Sequence, residues 1–279
     1  MINNIKYYLS FGAILGSSIF AQYITSLFVS LELIGEIRYF ETLASVGLLI
    51  FGIGGPSLAF QKAASSRNRQ ELSDYFLKLN IIPIITLSII VILSIMLYIY
   101  YFENEKSKEV FNYINILILI LILLIIVIPS KVIIGQLQGI QVLHKFVTLF
   151  IVYSLILASS AVVLTINYGM KGWFIARFSC EFLLVIILII KLNLYRLPIN
   201  SELSVISLLK GGFLINIVQL LRVVSDNAPI IWLKISSNAE NLGNYSLAYI
   251  WFSFPLYFIG ALSQQKTAEL IKLYKKSII

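Results

Sequence analysis

Long apolar runs with few charges inside them constrain this chain more than any other feature. The stretch Ile114–Pro129 contains a single polar side chain, Asn115. A helix needs about 20 apolar residues to cross a hydrocarbon core. Eight segments meet that need, at 9–31, 42–60, 79–102, 113–135, 146–166, 172–190, 211–234 and 245–264. In water, the β-branched run Ile116–Ile128 would suit a strand. In lipid the backbone must satisfy its own hydrogen bonds, so helix overrides that propensity. A transmembrane barrel would show segments of alternating polarity about ten residues long, and none occurs. The reading is an all-α polytopic membrane protein of about eight transmembrane helices. Charged residues make up only 12% of the 279, against about 25% in soluble domains, which excludes a cytosolic enzyme. The first run follows Lys6, lacks a small-x-small cleavage site and outruns a signal-peptide core, so it reads as a retained span.

Single residues prune the chemistry further. One cysteine, Cys180, excludes an internal disulfide and any cysteine cage, and one histidine, His144, excludes paired-histidine metal sites. No Walker glycine loop is present, so ATP hydrolysis is excluded, and neither a metal nor a cofactor is expected. The net charge of +8 reflects loop lysines and arginines rather than nucleic-acid binding. Fourteen Lys and Arg fall on one side of the spans: Lys6, Lys62, Arg67, Arg69, Lys78, Lys131, Lys145, Lys191, Arg196, Lys210, Lys266, Lys272, Lys275 and Lys276. Arg38, Lys106, Lys108, Lys171 and Lys234 fall on the other. This asymmetry puts both termini in the cytoplasm. The Arg67-Asn-Arg69 loop and the Lys275-Lys276 tail also attract anionic headgroups, at about 1 kcal/mol per residue.

A weak internal echo links the two ends of the chain. Gly12 opens the first span, and Gly211-Gly212 opens the seventh. Leu33–Phe40 and Asn241–Ala248 then each read as a short polar turn carrying a glycine, with a tyrosine near the next span. Such repeats are typical of transporters, whose substrate path lies between the halves.

The same residues carry a family resemblance. Gly35–Val46 and Phe51–Phe60 resemble the second-span region of bacterial polysaccharide-unit flippases, and Ala239–Ala248 with Ala261–Gln265 resemble the eighth. These flippases belong to the multidrug/oligosaccharidyl-lipid/polysaccharide exporter superfamily. The resemblance implies two six-helix lobes around a V-shaped cavity that opens alternately to either face of the bacterial cytoplasmic membrane. It also implies a cargo, undecaprenyl-diphosphate-linked oligosaccharide bound for O-antigen, lipopolysaccharide or capsule. The implied partners are that lipid-linked oligosaccharide, membrane lipids and polysaccharide-assembly proteins. The family has about twelve to fourteen spans. On this basis residues 1–200 form a first six-helix lobe, and 201–279 form the first two helices of an incomplete second lobe. The expectation is a truncated chain, inactive alone, or one whose second lobe comes from elsewhere.

Ionisable groups inside a span cost about 2.5–3.5 kcal/mol each on insertion scales. The sixth run contains Arg177 and Glu181, and the seventh contains Arg222 and Asp226. Both pairs have i,i+4 spacing, so each can neutralise itself on one helix face. Depth suggests a second arrangement. From the outer end of its run, Glu181 lies about 14 Å deep, Arg222 about 18 Å, Asp226 about 12 Å and Arg177 about 8 Å. Glu181 could then meet Arg222 near the midplane, with Arg177 and Asp226 nearer the outside. These four residues are the candidate lining of a cavity between lobes, where the arginines would hold a diphosphate or sugar acid through their planar forks. Arg177 is shallow enough to snorkel, so Arg222 leads. Gln22, Thr25 and Ser26 either face the same cavity or bond between helices. Lys131 reads as a snorkelling residue, and Gly54-Gly55-Pro56 reads as a kink. The function expected is alternating-access transport of lipid-linked oligosaccharide. The alternatives are a cation-coupled multidrug exporter of the same superfamily, a membrane-embedded glycan polymerase or acyltransferase, and a non-catalytic membrane subunit.

Overall fold

Lipid offers a backbone no hydrogen-bond partner, and a helix satisfies its own groups along its length. The computed structural model describes residues 2–65, 69–102, 108–194, 205–237 and 239–277. Among the described residues the regular elements are all helical: α1 (Ile2–Ser26), α2 (Leu31–Gly52), α3 (Gly55–Ser65), α4 (Arg69–Phe102), α5 (Lys108–Gly139), α6 (Val147–Leu192), α7 (Val205–Ser236) and α8 (Ala239–Ser277), with one 3-10 turn at Leu143–Phe146. Helices at 71–99, 113–139, 143–192 and 210–236 are long and apolar enough to cross a membrane, and α2 with α3 adds a fifth if taken as one broken span. The chain is an all-α membrane protein. This measure gives four or five spans where the sequence shows eight apolar runs. Two of those runs fall within α6, while α1 and α8 interleave serine, glutamine and tyrosine with their apolar residues and so fall short.

Helix α6 reverses at a single residue. Gly169 has φ 59° and ψ −140°, a conformation that only glycine adopts without strain. The arms 147–168 and 170–192 then run side by side, each about 33 Å long at 1.5 Å per residue. Across them, Ser160 Oγ and Cys180 Sγ lie 3.4 Å apart. Gly172 permits the tight return, since a Cβ there would stand 1.9 Å from the Leu164 carbonyl oxygen.

The segment 33–40, which reads as a polar turn, is helical. The true turn lies at 27–30, where the hydroxyl of Ser30 caps α2 by accepting from the Leu33 N–H at 3.4 Å. The charges that made this stretch look like a loop are each met by a distant element. Lys234 of α7 reaches Glu36 at 3.5 Å, and the Arg38 guanidinium lies 4.2 Å from the centre of the Tyr249 ring of α8. Segment 241–248 is likewise helical, within α8.

The kink expected at Gly54-Gly55-Pro56 is present as a 57° bend between α2 and α3. Its cause is not the proline. Pro56 sits in the first turn of α3, where a missing N–H costs nothing, and the break comes from left-handed backbone at Ile53 (φ 45°) and Gly54 (φ 69°). The backbone of Gly212 on α7 packs directly on this break, its carbonyl oxygen 2.5 Å from where a Gly54 Cβ would be.

Helix α5 occupies the centre, packed against α2, α3, α4 and α6, while α1 lies along α6, and α7 and α8 close against α2. The largest fully buried side chains are Trp173, Phe11, Phe40, Phe150 and Phe174. Polarity is inverted relative to a water-soluble bundle. Ile81, Ile85, Ile89, Ile92 and Met96 of α4 are exposed, whereas Gln22, Glu41, Asp74, Gln136 and Glu181 are buried. A face like that of α4 would drive aggregation in water, and it suits acyl chains.

Candidate functional site

Two neighbouring cavities inside the bundle have polar and charged linings. The first, of about 200 Å³, lies between α1, α2, α5 and α6 and is lined by Ser17, Arg38, Glu41, Ser45, Lys131, Arg177 and Glu181 among others. The second, of about 410 Å³, lies between α1, α2, α3, α5, α7 and α8. Leu15, Leu48 and Lys131 line both, so the two chambers adjoin along one wall.

In the smaller chamber, each carboxylate is held by groups from other helices. Glu41 lies at the middle of α2, about 15 Å from either end, and is only 4% exposed. The indole N–H of Trp173 donates to its Oε1 at 2.6 Å, and Arg177 forms an ion pair with its Oε2. Both carboxylate oxygens therefore have donors, as burial of a charge demands. Glu181, one turn further along α6, accepts from the Ser130 hydroxyl at 2.8 Å. The buried Tyr153 hydroxyl interacts with Glu181 and Ser17. Three cationic side chains, Arg38, Lys131 and Arg177, share this chamber with two carboxylates.

The larger chamber is of different character. Among its lining residues Lys131 is the single charged one; the other polar side chains are Ser57, Gln61, Gln138, Asn216, Gln219, Gln264 and Thr267. Gln219 donates to Ser57 Oγ and Asn216 to the Leu49 carbonyl, each at 2.7 Å, tying α7 to the bent pair. Two buried amide oxygens of this lining, Asn216 Oδ1 and Gln264 Oε1, have no hydrogen-bond partner among the described residues. One residue before Thr267, Lys266 donates to Glu269 at 2.9 Å. That hydrogen bond, reinforced by the carboxylate charge, pushes the ammonium pKa upward.

The residues expected to line a cavity divide into two groups. Arg177 and Glu181 do so, but not in the pairings read from depth, since Arg177 pairs with Glu41 rather than with Asp226. Arg222 does not meet Glu181. It pairs with Asp226 at 3.6 Å on the outer face of α7, the two side chains 83% and 55% exposed, and neither lines either chamber. Helix phase explains this placement. The stripe Gly212, Asn216, Asn227 and Ile230 of α7 is turned inward, and at 3.6 residues per turn Arg222 lies about 105° and Asp226 about 65° from its mean direction. Gln22 and Thr25 are buried, with no partner for Gln22 Nε2 or Thr25 Oγ1 among the described residues, and neither residue lines the two chambers.

Sequence reasoning missed Glu41, Trp173 and the central position of Lys131. For Lys131 a signal existed, because Lys131, Gly135 and Gln138 recur at helical spacing and form one face of α5, which lines the larger chamber. No protein family, curated protein or solved structure matches the chain.

Proposed function

We propose that this chain is a transporter-type flippase of the polysaccharide-unit kind, acting on undecaprenyl-diphosphate-linked oligosaccharide in the bacterial cytoplasmic membrane. The observation that carries the reading is the larger chamber. An amide- and hydroxyl-lined cavity holding one ammonium is an unusual thing to build among lipid-facing helices, where each polar group needs a reason. Amides that both donate and accept suit the hydroxyls of a sugar. The free acceptors Asn216 Oδ1 and Gln264 Oε1 match hydroxyl donors, and Lys131 supplies positive charge for a phosphate. An ATPase or acid–base enzyme has less to recommend it, since this chamber pairs no nucleophile with a base.

In this reading α1, α2 with α3, α4, α5, the two arms of α6, α7 and α8 are eight passes with both termini cytoplasmic. Residues 1–200 are one lobe and 201–279 begin a second. Arg222 and Asp226 then face that second lobe, and the arginine serves the cargo from the far side of the interface. Polysaccharide-assembly proteins are the natural partners.

Binding tests the reading directly. The purified chain in neutral detergent is titrated with undecaprenyl-diphosphate-linked oligosaccharide, with undecaprenyl diphosphate and with undecaprenol, and the thermal midpoint is followed. Stabilisation should rank in that order. Lys131→Ala should abolish the gain from the diphosphate, and Gln138→Leu with Gln264→Leu the gain from the sugar. Equal responses to all three lipids would sink the proposal.

A further inference from the structure

A third cavity, of about 240 Å³, lies at one end of the bundle and shares no lining residue with either chamber. It is formed where α4 begins, where α5 gives way to the 3-10 turn, and where the second arm of α6 ends. Its wall is apolar, with Leu137, Ile140, Phe146, Leu192 and Leu194 among the lining residues. Gln136 is turned out of the chemistry, its amide spent on the Leu72 carbonyl at 2.7 Å. Two ammonium groups, those of Lys145 and Lys191, share the pocket, and both lysines are exposed. Neither has a carboxylate partner among the described residues.

Each part of this arrangement selects a ligand property. Two like charges sharing one pocket repel each other, and an anion bridging them relieves the repulsion. The dry wall accepts hydrocarbon. The volume admits about eight water-sized groups, enough for a short length of acyl chain. The pocket also sits at helix ends, where lysines on apolar helices reach headgroup level. We propose that this pocket binds one anionic phospholipid, its phosphate between Lys145 and Lys191 and the start of one acyl chain against Leu137, Phe146 and Leu192. The proposal is independent of the transport reading, because it uses neither chamber.

The shared chemistry is a phosphate, so the test must separate a lipid from a free ion. The full chain, purified in neutral detergent, is titrated with dioctanoyl-phosphatidylglycerol, dioctanoyl-phosphatidylcholine and inorganic phosphate. Adducts are counted by native mass spectrometry, and the thermal midpoint is read in parallel. Phosphatidylglycerol should bind and stabilise, with phosphatidylcholine and phosphate doing neither. At about 1 kcal/mol for each lysine near an anionic lipid, Lys145→Ala with Lys191→Ala should weaken binding about 30-fold. The charge-preserving Lys145→Arg with Lys191→Arg should keep the affinity within about threefold, as should the matched control Lys62→Ala with Lys210→Ala. Equal binding by the wild type and the alanine pair would overturn the site. Equal binding of the two phospholipids would overturn the charge argument, and stabilisation by inorganic phosphate alone would overturn the lipid assignment.

Discussion

Removing the Arg177 guanidinium isolates a deeply buried charge, that of Glu41. In the wild type, Glu41 has Trp173 on one oxygen and Arg177 on the other, with the two ion-pair side chains only 5% and 13% exposed. Arg177→Ala leaves a carboxylate in the middle of α2 with one neutral donor and without its ion-pair partner, Arg38 and Lys131 being the cations that remain in the chamber. Breaking a buried pair from one side costs about 3–5 kcal/mol. For a chain of this size, each kcal/mol lowers the melting midpoint by about 2 °C, so a fall of about 6–10 °C is expected. Glu41→Gln with Arg177→Leu removes both charges and keeps an acceptor for the Trp173 N–H. It should recover at least about 2 kcal/mol of that loss, because replacing a buried pair whole is often close to neutral. The assay is thermal unfolding in detergent followed by tryptophan fluorescence, run on the wild type, Glu41→Gln, Arg177→Leu and their double variant as a cycle, with Arg177→Ala alongside. A fall of less than 2 °C for Arg177→Ala, or single losses that simply add, would show that the ion pair is not what holds α2 to α6.

Two further outcomes can be read from the same melts. Arg222→Ala should move the midpoint by no more than about 1 °C, because an exposed i,i+4 pair in detergent contributes about 0.5 kcal/mol or less; a shift matching that of Arg177→Ala would mean the residue is enclosed by protein. Gly172→Ala should destabilise by about 1–3 kcal/mol, its new Cβ colliding with the Leu164 backbone at 1.9 Å, whereas Gly12→Ala, with nothing within 4 Å, should be neutral or slightly stabilising.

The all-helical class was legible because lipid removes the alternative to self-paired backbone, and a run such as Ile116–Ile128 has no other solution there. The kink before Pro56 was legible too, although the residues that cause it are Ile53 and Gly54. What escaped was the start of α2. Glu32, Glu36, Arg38 and Glu41 look like a loop when taken locally. Glu36, Arg38 and Glu41 are compatible with a packed helix only because Lys234, Tyr249 and Arg177 arrive from α7, α8 and α6. Contacts across more than a hundred residues leave no mark on local periodicity. The expected pairing of Arg222 with Glu181 fails for a different reason. Counting residues from a helix end gives depth but not direction, and direction on α7 is set by which side carries Gly212, Asn216 and Asn227.

Lys131 has one ammonium and borders two rooms. When that group swings to meet an anion in the larger room, the smaller one is left with Arg38 and Arg177 against Glu41 and Glu181, an even balance instead of a surplus of one positive charge. Filling either compartment with a negative guest therefore changes what its neighbour can hold, and by linkage the effect must run equally in both directions. An ammonium shared by two compartments ties the charge of one to that of the other without any helix having to move.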